Sequence, residues 1–398
     1  DESESRGLGD VYKRQLSIDL LEYFMKILMS FGLLILVLTS SLSIHASSMN
    51  MESMDMESMD MEPMEMASMN MMPVHAAPVG IMGDHLGMKG KWMLSMRVTQ
   101  MKMKGNLLKG DNIEDADVLA QPNPYSAMPN MPMKLSVVPQ EMTMNMLMIG
   151  GMYAPSDDLT LMGMVMLNHK EMQLDTYKGM MGRDFLGSFE TSTSDLSSIS
   201  FTALHKLYQT SKHRAHLHLG VTKGLGKNTA IDDVLTPMNM RVPMTLPYAM
   251  QPSDGSTRLT AGITNVSSIG NLQIGNQLLF NTAVSEKNWS LGDRWDFNSW
   301  IQRPYNEHFS YSARVHFSSE KAIDGRDMTI MAPVQTANPN NYGGQAMDFA
   351  VGINGVAKLF GEEKDHIGLE MVFPIKQNKY GLQMKDGFAL VLGYKKRL

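Results

Sequence analysis

The sequence predicts an all-β fold: a transmembrane antiparallel β-barrel of about 12 strands, preceded by a signal peptide and a disordered Met-rich segment. Three observations predict it. Segments of roughly ten residues alternate apolar and polar side chains at period two, and the connections between them alternate long and short. After the amino-terminal region no run is long and apolar enough to make a spanning helix. The 398 residues include no cysteine, which removes disulfides, thiolate metal sites and a cysteine nucleophile. A formal charge of −6 argues against nucleic acid as a partner. Methionine is the anomaly, with 42 residues against 13 Phe and 4 Trp. Its thioether is both a flexible apolar filler and a soft-metal ligand.

Residues 1–24 do not read as the start of a mature protein and are expected to be a non-native upstream segment. Met25-Lys26 opens a basic region, Ile27–Leu38 is a short apolar core, and Ser43-Ile44-His45-Ala46 offers a small-residue cleavage site. Residues 25–46 therefore read as a signal peptide, because the apolar run is shorter than the roughly 20 residues a spanning helix needs. Residues 47–77 form the Met-rich segment, whose five-residue repeat lacks the aromatic and β-branched residues of a core. Met49, Met51, Met54, Met56, Met59, Met61, Met64, Met66, Met69, Met71 and Met72 could collect Cu(I) or Ag(I), with the interspersed carboxylates concentrating the cation. A ligand-free spacer is the alternative, although spacers usually favour Gly, Ser and Pro. No other cofactor is called for.

Residues 78–398 read as the barrel. The first strand, Lys91–Met103, puts Trp92, Leu94, Met96 and Val98 on one face and Ser95, Arg97, Thr99, Met101 and Met103 on the other. Further strands are expected at Met142–Tyr153, Leu159–Lys170, Ser198–Leu207, Arg214–Lys223, Thr257–Val266 and Leu272–Thr282. The last five fall at Arg294–Gln302, His308–Ser318, Met347–Phe360, His366–Ile375 and Gly387–Tyr394. Long links at Gly105–Gln140, Met172–Asp195, Gly226–Ser256 and Lys321–Ala346 alternate with short turns, and Ala283–Asp293 and Lys376–Asp386 are intermediate. That asymmetry places the short turns, both termini and the Met repeat on the periplasmic side of an outer membrane. Tyr153, Tyr311, Tyr394, Trp92, Trp295 and Trp300 are candidates for interfacial girdles, although Trp300 has inward parity.

Pro78-Val79-Gly80-Ile81-Met82-Gly83-Asp84-His85, followed by Trp92-Met93-Leu94-Ser95, resembles the bacterial outer-membrane family named for the MetA pathway of phenol degradation, whose members are labelled transporters. Val137–Met144, Gly151–Asp157, Leu235-Thr236-Pro237-Met238, Leu246-Pro247-Tyr248 and Met331–Ala337 extend the resemblance to the end of the chain. The resemblance implies a barrel and a transport role and carries over no catalytic residues. One departure is the ending Tyr394-Lys395-Lys396-Arg397-Leu398, where such barrels usually end in an aromatic residue. The terminal assembly signal is then either shifted to Tyr394 or impaired.

Parity gives the lumen its chemistry. Leu159, Leu161, Val165 and Leu167 should face lipid, which turns Met162, Met164 and Met166 inward beside Met101 and Met103. The parity of Met142, Met144, Met146 and Met148 is ambiguous. His216 and His218 share an inward face and could chelate a metal, although wet lumen lining is the commoner role. His308, Arg314 and His316 are read the same way. Asp84-His85 is read as a turn eased by Gly83 and Gly87, with plugging of the periplasmic mouth as the alternative. No G-x-S-x-G, H-E-x-x-H, P-loop or dinucleotide fingerprint occurs, so no enzyme is expected. The function expected is an outer-membrane channel for small hydrophobic or aromatic solutes. The alternative is a copper or silver tolerance protein that works through its Met-rich tail and lumen.

Overall fold

A computed structural model describes residues 77–179, 183–285, 287–358 and 365–398. The expected upstream segment, signal peptide and Met repeat, together with Met180 and Met181, lie outside the described residues. Twelve long strands form the wall: β1 Trp92–Leu108, β2 Val137–Tyr153, β3 Leu159–Tyr177, β4 Phe185–Gln209, β5 His213–Gly224 and β6 Thr257–Ile269. They continue with β7 Leu272–Ala283, β8 Arg294–Pro304, β9 Phe309–Glu320, β10 Gly344–Ala357, β11 Asp365–Lys379 and β12 Leu382–Arg397. Each pairs antiparallel with its sequence neighbour, and β12 pairs with β1 from Met93↔Arg397 to Leu108↔Leu382. The cylinder is thus closed and leaves no strand edge in the wall, the condition for crossing hydrocarbon.

The expected outward parity holds. Trp92, Leu94, Leu161, Phe201, Leu219, Ile301, Tyr311 and Phe388 are exposed on the outer face. A monomer in water rarely shows so much contiguous apolar surface, whereas lipid requires it. Rings gather towards both ends of the wall. Trp92 stacks on Tyr153 at 4.6 Å near the short-turn end, and Phe280 meets Trp295 at 4.4 Å near the other.

All twelve expected strands are present, but at the long-loop end they run further than their apolar patterning. The links expected at Met172–Asp195 and Lys376–Asp386 are mostly strand, leaving only residues 178–184 and Tyr380-Gly381 as connections. β4 has 25 residues, well beyond the 9–11 that span a bilayer. Its outer half alternates buried Phe189, Thr191 and Thr193 with exposed Glu190 and Ser192. That stretch projects past the lipid, so its outward side chains are polar and the strand resembles a loop in sequence.

The long loops pack together as a cap. Tyr125, Leu235, Leu246, Tyr248, Met250, Trp289, Ile330 and Val334 share one buried cluster with Met142, Met172 and Met384 of the wall. Tyr125 Oη donates to Ala337 O (2.8 Å), and Tyr342 Oη donates to Thr336 O (2.7 Å) while accepting from Ala249 N (2.9 Å). Burial pushes the Tyr342 phenol well above its ordinary range, helped by Tyr248 and Tyr125, so these contacts keep their protons. Of the loop methionines, Met250 is fully buried, whereas Met128, Met133, Met238 and Met240 are exposed.

Candidate functional site

The barrel is plugged from within. Residues 77–91 run inside the short-turn end, with Ala77, Val79, Ile81 and Asp84 buried. Asp84-His85 therefore belongs to a plug, the alternative weighed from sequence, and the turn expected there lies within that plug. Gly83 contributes the reversal, at φ +64°, where a side chain would be strained and would meet His218. Val79 lies directly over Gly368 of β11 and Gly393 of β12, positions where a side chain would intrude on it.

A ring of polar wall residues holds the plug by its backbone. Arg97 of β1 donates to the carbonyls of Gly80 (3.3 Å) and Ile81 (3.0 Å). Gly80 N donates to Glu370 Oε2 of β11 (2.7 Å), while Glu370 Oε1 accepts from Arg314 Nε of β9 (2.8 Å). Arg314 Nη1 in turn donates to Asn298 Oδ1 of β8 (2.7 Å). On the far side Gln277 Nε2 of β7 donates to Met82 O (2.9 Å), and His216 Nε2 of β5 lies 2.8 Å from Gly83 O. A carbonyl only accepts, so the His216 proton sits on Nε2. The His218 Nε2 is 2.7 Å from Thr264 Oγ1. Each of the two histidines proposed from sequence as a chelating pair thus already has a protein partner. Among the described residues no group of three or more His, Cys, Asp and Glu side chains converges as a metal site.

Two other readings change. Trp300 is fully buried against Ile81, Ala77 and Val266, so it anchors the plug instead of joining a girdle. Its ring fills the space a side chain at Gly275 would need. His308 lies in the exposed turn before β9 and does not line the lumen; only its strand-mates Arg314 and His316 do.

At the plug's acidic corner, Asp84 is buried with His85 Nδ1 at 3.0 Å and Lys395 Nζ at 3.4 Å, and its Oδ2 accepts from Ala77 N. Burial alone would raise its pKa. The charges of His85, Lys395 and Arg214 outweigh that and hold it well below the ordinary carboxylate value.

Between plug and cap the lumen is open. One cavity of about 460 Å³ is lined by Met103, Met142, Met144, Met166, Tyr248, Trp289, Tyr342 and Met384, together with polar and charged side chains that include Asn168, Lys170, Asp254 and Arg258. A second, of about 390 Å³, has Met101, Arg294, His316, Glu320 and Asp348 in its lining. The two share Met103, Glu320, Lys379, Gln383 and Asp386, so they adjoin. One wall is sulfur and aromatic and the opposite wall is charged. On the charged side His316 lies between Asp296 (2.9 Å) and Asp348 (3.0 Å), and Arg294 bridges Asp296 and Glu320.

The methionine wall follows from register. β2 turns Met142, Met144, Met148 and Met152 inward, which resolves its parity. Met101↔Met144, Met103↔Met142, Met142↔Met172, Met148↔Met166 and Met152↔Met162 are direct partners across β1, β2 and β3. Met162 and Met164 lie beside the plug, around a small cavity of about 30 Å³. Sequence reading passed over Glu370, Asn298, Gln277 and Thr264. The available signal was their polar character at inward parity on strands otherwise rich in apolar residues, with Glu370 a lone acid in Ile367–Ile375.

Closed wall, lipid-facing exterior and internal plug define a plugged transmembrane β-barrel of the outer-membrane type. No family model matches the chain, and no curated protein matches its sequence. Among solved structures it is similar to an outer-membrane channel from Pseudomonas putida F1, at 11% identity over 80% of this chain and 99% of that one, with a TM-score of 0.49. It is also similar to a Pseudomonas aeruginosa FadL homologue (9% identity, 77% and 89% covered, TM-score 0.35). The CymD monoaromatic hydrocarbon channel is a third (9% identity, 78% and 89% covered, TM-score 0.37).

Proposed function

We propose that this chain is an outer-membrane channel for small apolar solutes, aromatic ones included, with the cap outside and the plug at the periplasmic mouth. The observation that carries the reading is the chamber above the plug. Its volume of about 460 Å³ suits a single-ring solute, and one side offers thioethers and aromatic rings. The plug is a strap held by hydrogen bonds to its backbone, so it can shift without unfolding a domain. The motif resemblance to the phenol-pathway transporters points the same way. Cells carrying the protein should take up a labelled monoaromatic compound faster than cells with an empty vector. Equal rates would reject the reading.

One observation favours a second reading, transport or sequestration of a soft cation. Directly opposed residues in an antiparallel pair have β-carbons about 5 Å apart, close enough for two thioethers to share Cu(I) or Ag(I). The six cross-strand methionine pairs, Met93↔Met152 among them, meet that condition. Met→Leu substitution keeps volume and apolarity while deleting the sulfur. Met103→Leu with Met142→Leu should therefore lower the number of Ag(I) ions the refolded barrel binds, since the other pairs remain, and leave aromatic uptake near wild type. Ag(I) titration that is the same for variant and wild type would remove the metal reading.

A further inference from the structure

We propose that the short-turn mouth holds a binding site for one small oxyanion, a carboxylate or a phosphate, centred on Arg214. A cavity of about 50 Å³ lies there between the plug and two facing stretches of wall. Lys206 and Arg214 line it from β4 and β5, His366, Lys395 and Arg397 from β11 and β12, and His85 from the plug. No carboxylate lines it. The acids close by are already engaged from behind: Asp158 by Lys206, Asp84 by Lys395 and Asp365 by Lys396.

Arg214 differs from these cations. Its Nε and Nη2 are buried without a hydrogen-bond partner, and the Nδ1 of His366 is in the same condition. Nε–H and Nη2–H form the parallel edge of a guanidinium, the edge that meets two oxygens of one carboxylate or phosphate. A cationic cavity in which that edge is unmet has the form of an oxyanion site. The volume admits a headgroup and little more. Leu86 and Met93 complete the lining, so an apolar remainder could lie against them. The chemistry suits either the acid group of a transported solute or free phosphate. This site is separate from the methionine chamber and does not depend on the channel reading.

The test uses the full-length refolded barrel in detergent, with benzoate and inorganic phosphate as probes and chloride holding ionic strength constant. Saturable binding of at least one probe is expected, weakened at least about tenfold by Arg214→Gln. Gln209 is the cross-strand partner of Arg214. Gln209→Glu should abolish binding too, by supplying an internal carboxylate while leaving the arginine in place; it also serves if Arg214→Gln fails to fold. Benzoate binding tighter than phosphate assigns the site to a solute's acid group, and the reverse order assigns it to phosphate. Failure of wild type to bind either probe above chloride overturns the proposal, as does wild-type affinity in a folded variant. Because no flux is measured, neither failure bears on whether the barrel conducts aromatic solutes.

Discussion

A carboxylate inside a barrel wall is stable only where donors replace its water, and Glu370 has two, Gly80 N–H and the Arg314 guanidinium. Both charged groups are buried, with side-chain exposures of 1% and 8%. Removing one partner of such a pair leaves the other uncompensated, at a cost of about 3–5 kcal/mol. Glu370→Ala should therefore destabilise the barrel by that order and free the Gly80 end of the plug, while Glu370→Gln, which also leaves Arg314 without its countercharge but keeps an acceptor for Gly80, should destabilise the barrel yet hold the plug better. Since the chain has no cysteine, Val79→Cys provides a reporter on the plug, and its maleimide labelling should be slow in the parent and fast beside Glu370→Ala. Unchanged labelling would mean that Glu370 does not hold the plug. Asp84 gives the same reporter a pH dependence. Its pKa in the folded chain lies below the ordinary 3.8 because neighbouring cations outweigh burial. The stabilisation is then complete above about pH 4 and is lost as pH falls through the lowered value. Labelling of Val79→Cys, always carried out at one neutral pH because only the thiolate reacts, should be unchanged after brief exposure to any pH down to about 4 and faster after exposure to lower pH; a rise already after exposure to pH 6 would exclude Asp84 as the cause.

At the scale of elements, the plug and wall differ in how plainly they can be read. The membrane-crossing part of each strand announces itself, because lipid demands apolar side chains at every second position, as in Leu159, Leu161 and Val165. The extensions of β3, β4, β11 and β12 beyond the lipid carry no such demand, and Thr191 and Thr193 alternate with polar neighbours only. The plug was visible merely as a Gly-rich stretch before the first strand. Its contacts run through main-chain groups of Gly80, Ile81, Met82 and Gly83, which no side-chain pattern encodes. Parity did place Arg314, His216 and His218 inside. It could not say that His216 would meet the Gly83 carbonyl, or that Arg314 would hold the Glu370 that meets Gly80, since that depends on chain more than a hundred positions away. Trp300 shows the same limit, as its inward parity was legible but its partner was not. The Trp300 ring occupies the space over Gly275, so Gly275→Val should displace it and unseat Ile81. Overpacking of this kind costs roughly 1–3 kcal/mol. The measurable result is faster labelling of Val79→Cys with barrel pairing intact by circular dichroism.

For the whole molecule the question is whether solute passage requires the plug to move. The cap and plug close a lumen whose middle is open, so a solute reaching the chamber from the long-loop end still meets residues 77–91 before the mouth. Apart from its continuity with β1 at Trp92 no cross-link ties that strap to the wall, and the polar ring grips it by hydrogen bonds that water could replace one at a time. A reversible lock is available. A β-carbon at Gly393 would lie 3.6 Å from that of Val79, within the range a disulfide spans. The absence of native cysteine leaves no competing thiol. Val79→Cys with Gly393→Cys should form the bond under oxidising conditions and release it with reductant. If the strap must shift, oxidised cells will take up the monoaromatic solute at the empty-vector rate and recover on reduction, while either single variant is indifferent to redox state. If uptake is the same in both states, solute passes beside a stationary plug, and the polar ring is then a structural brace instead of a latch.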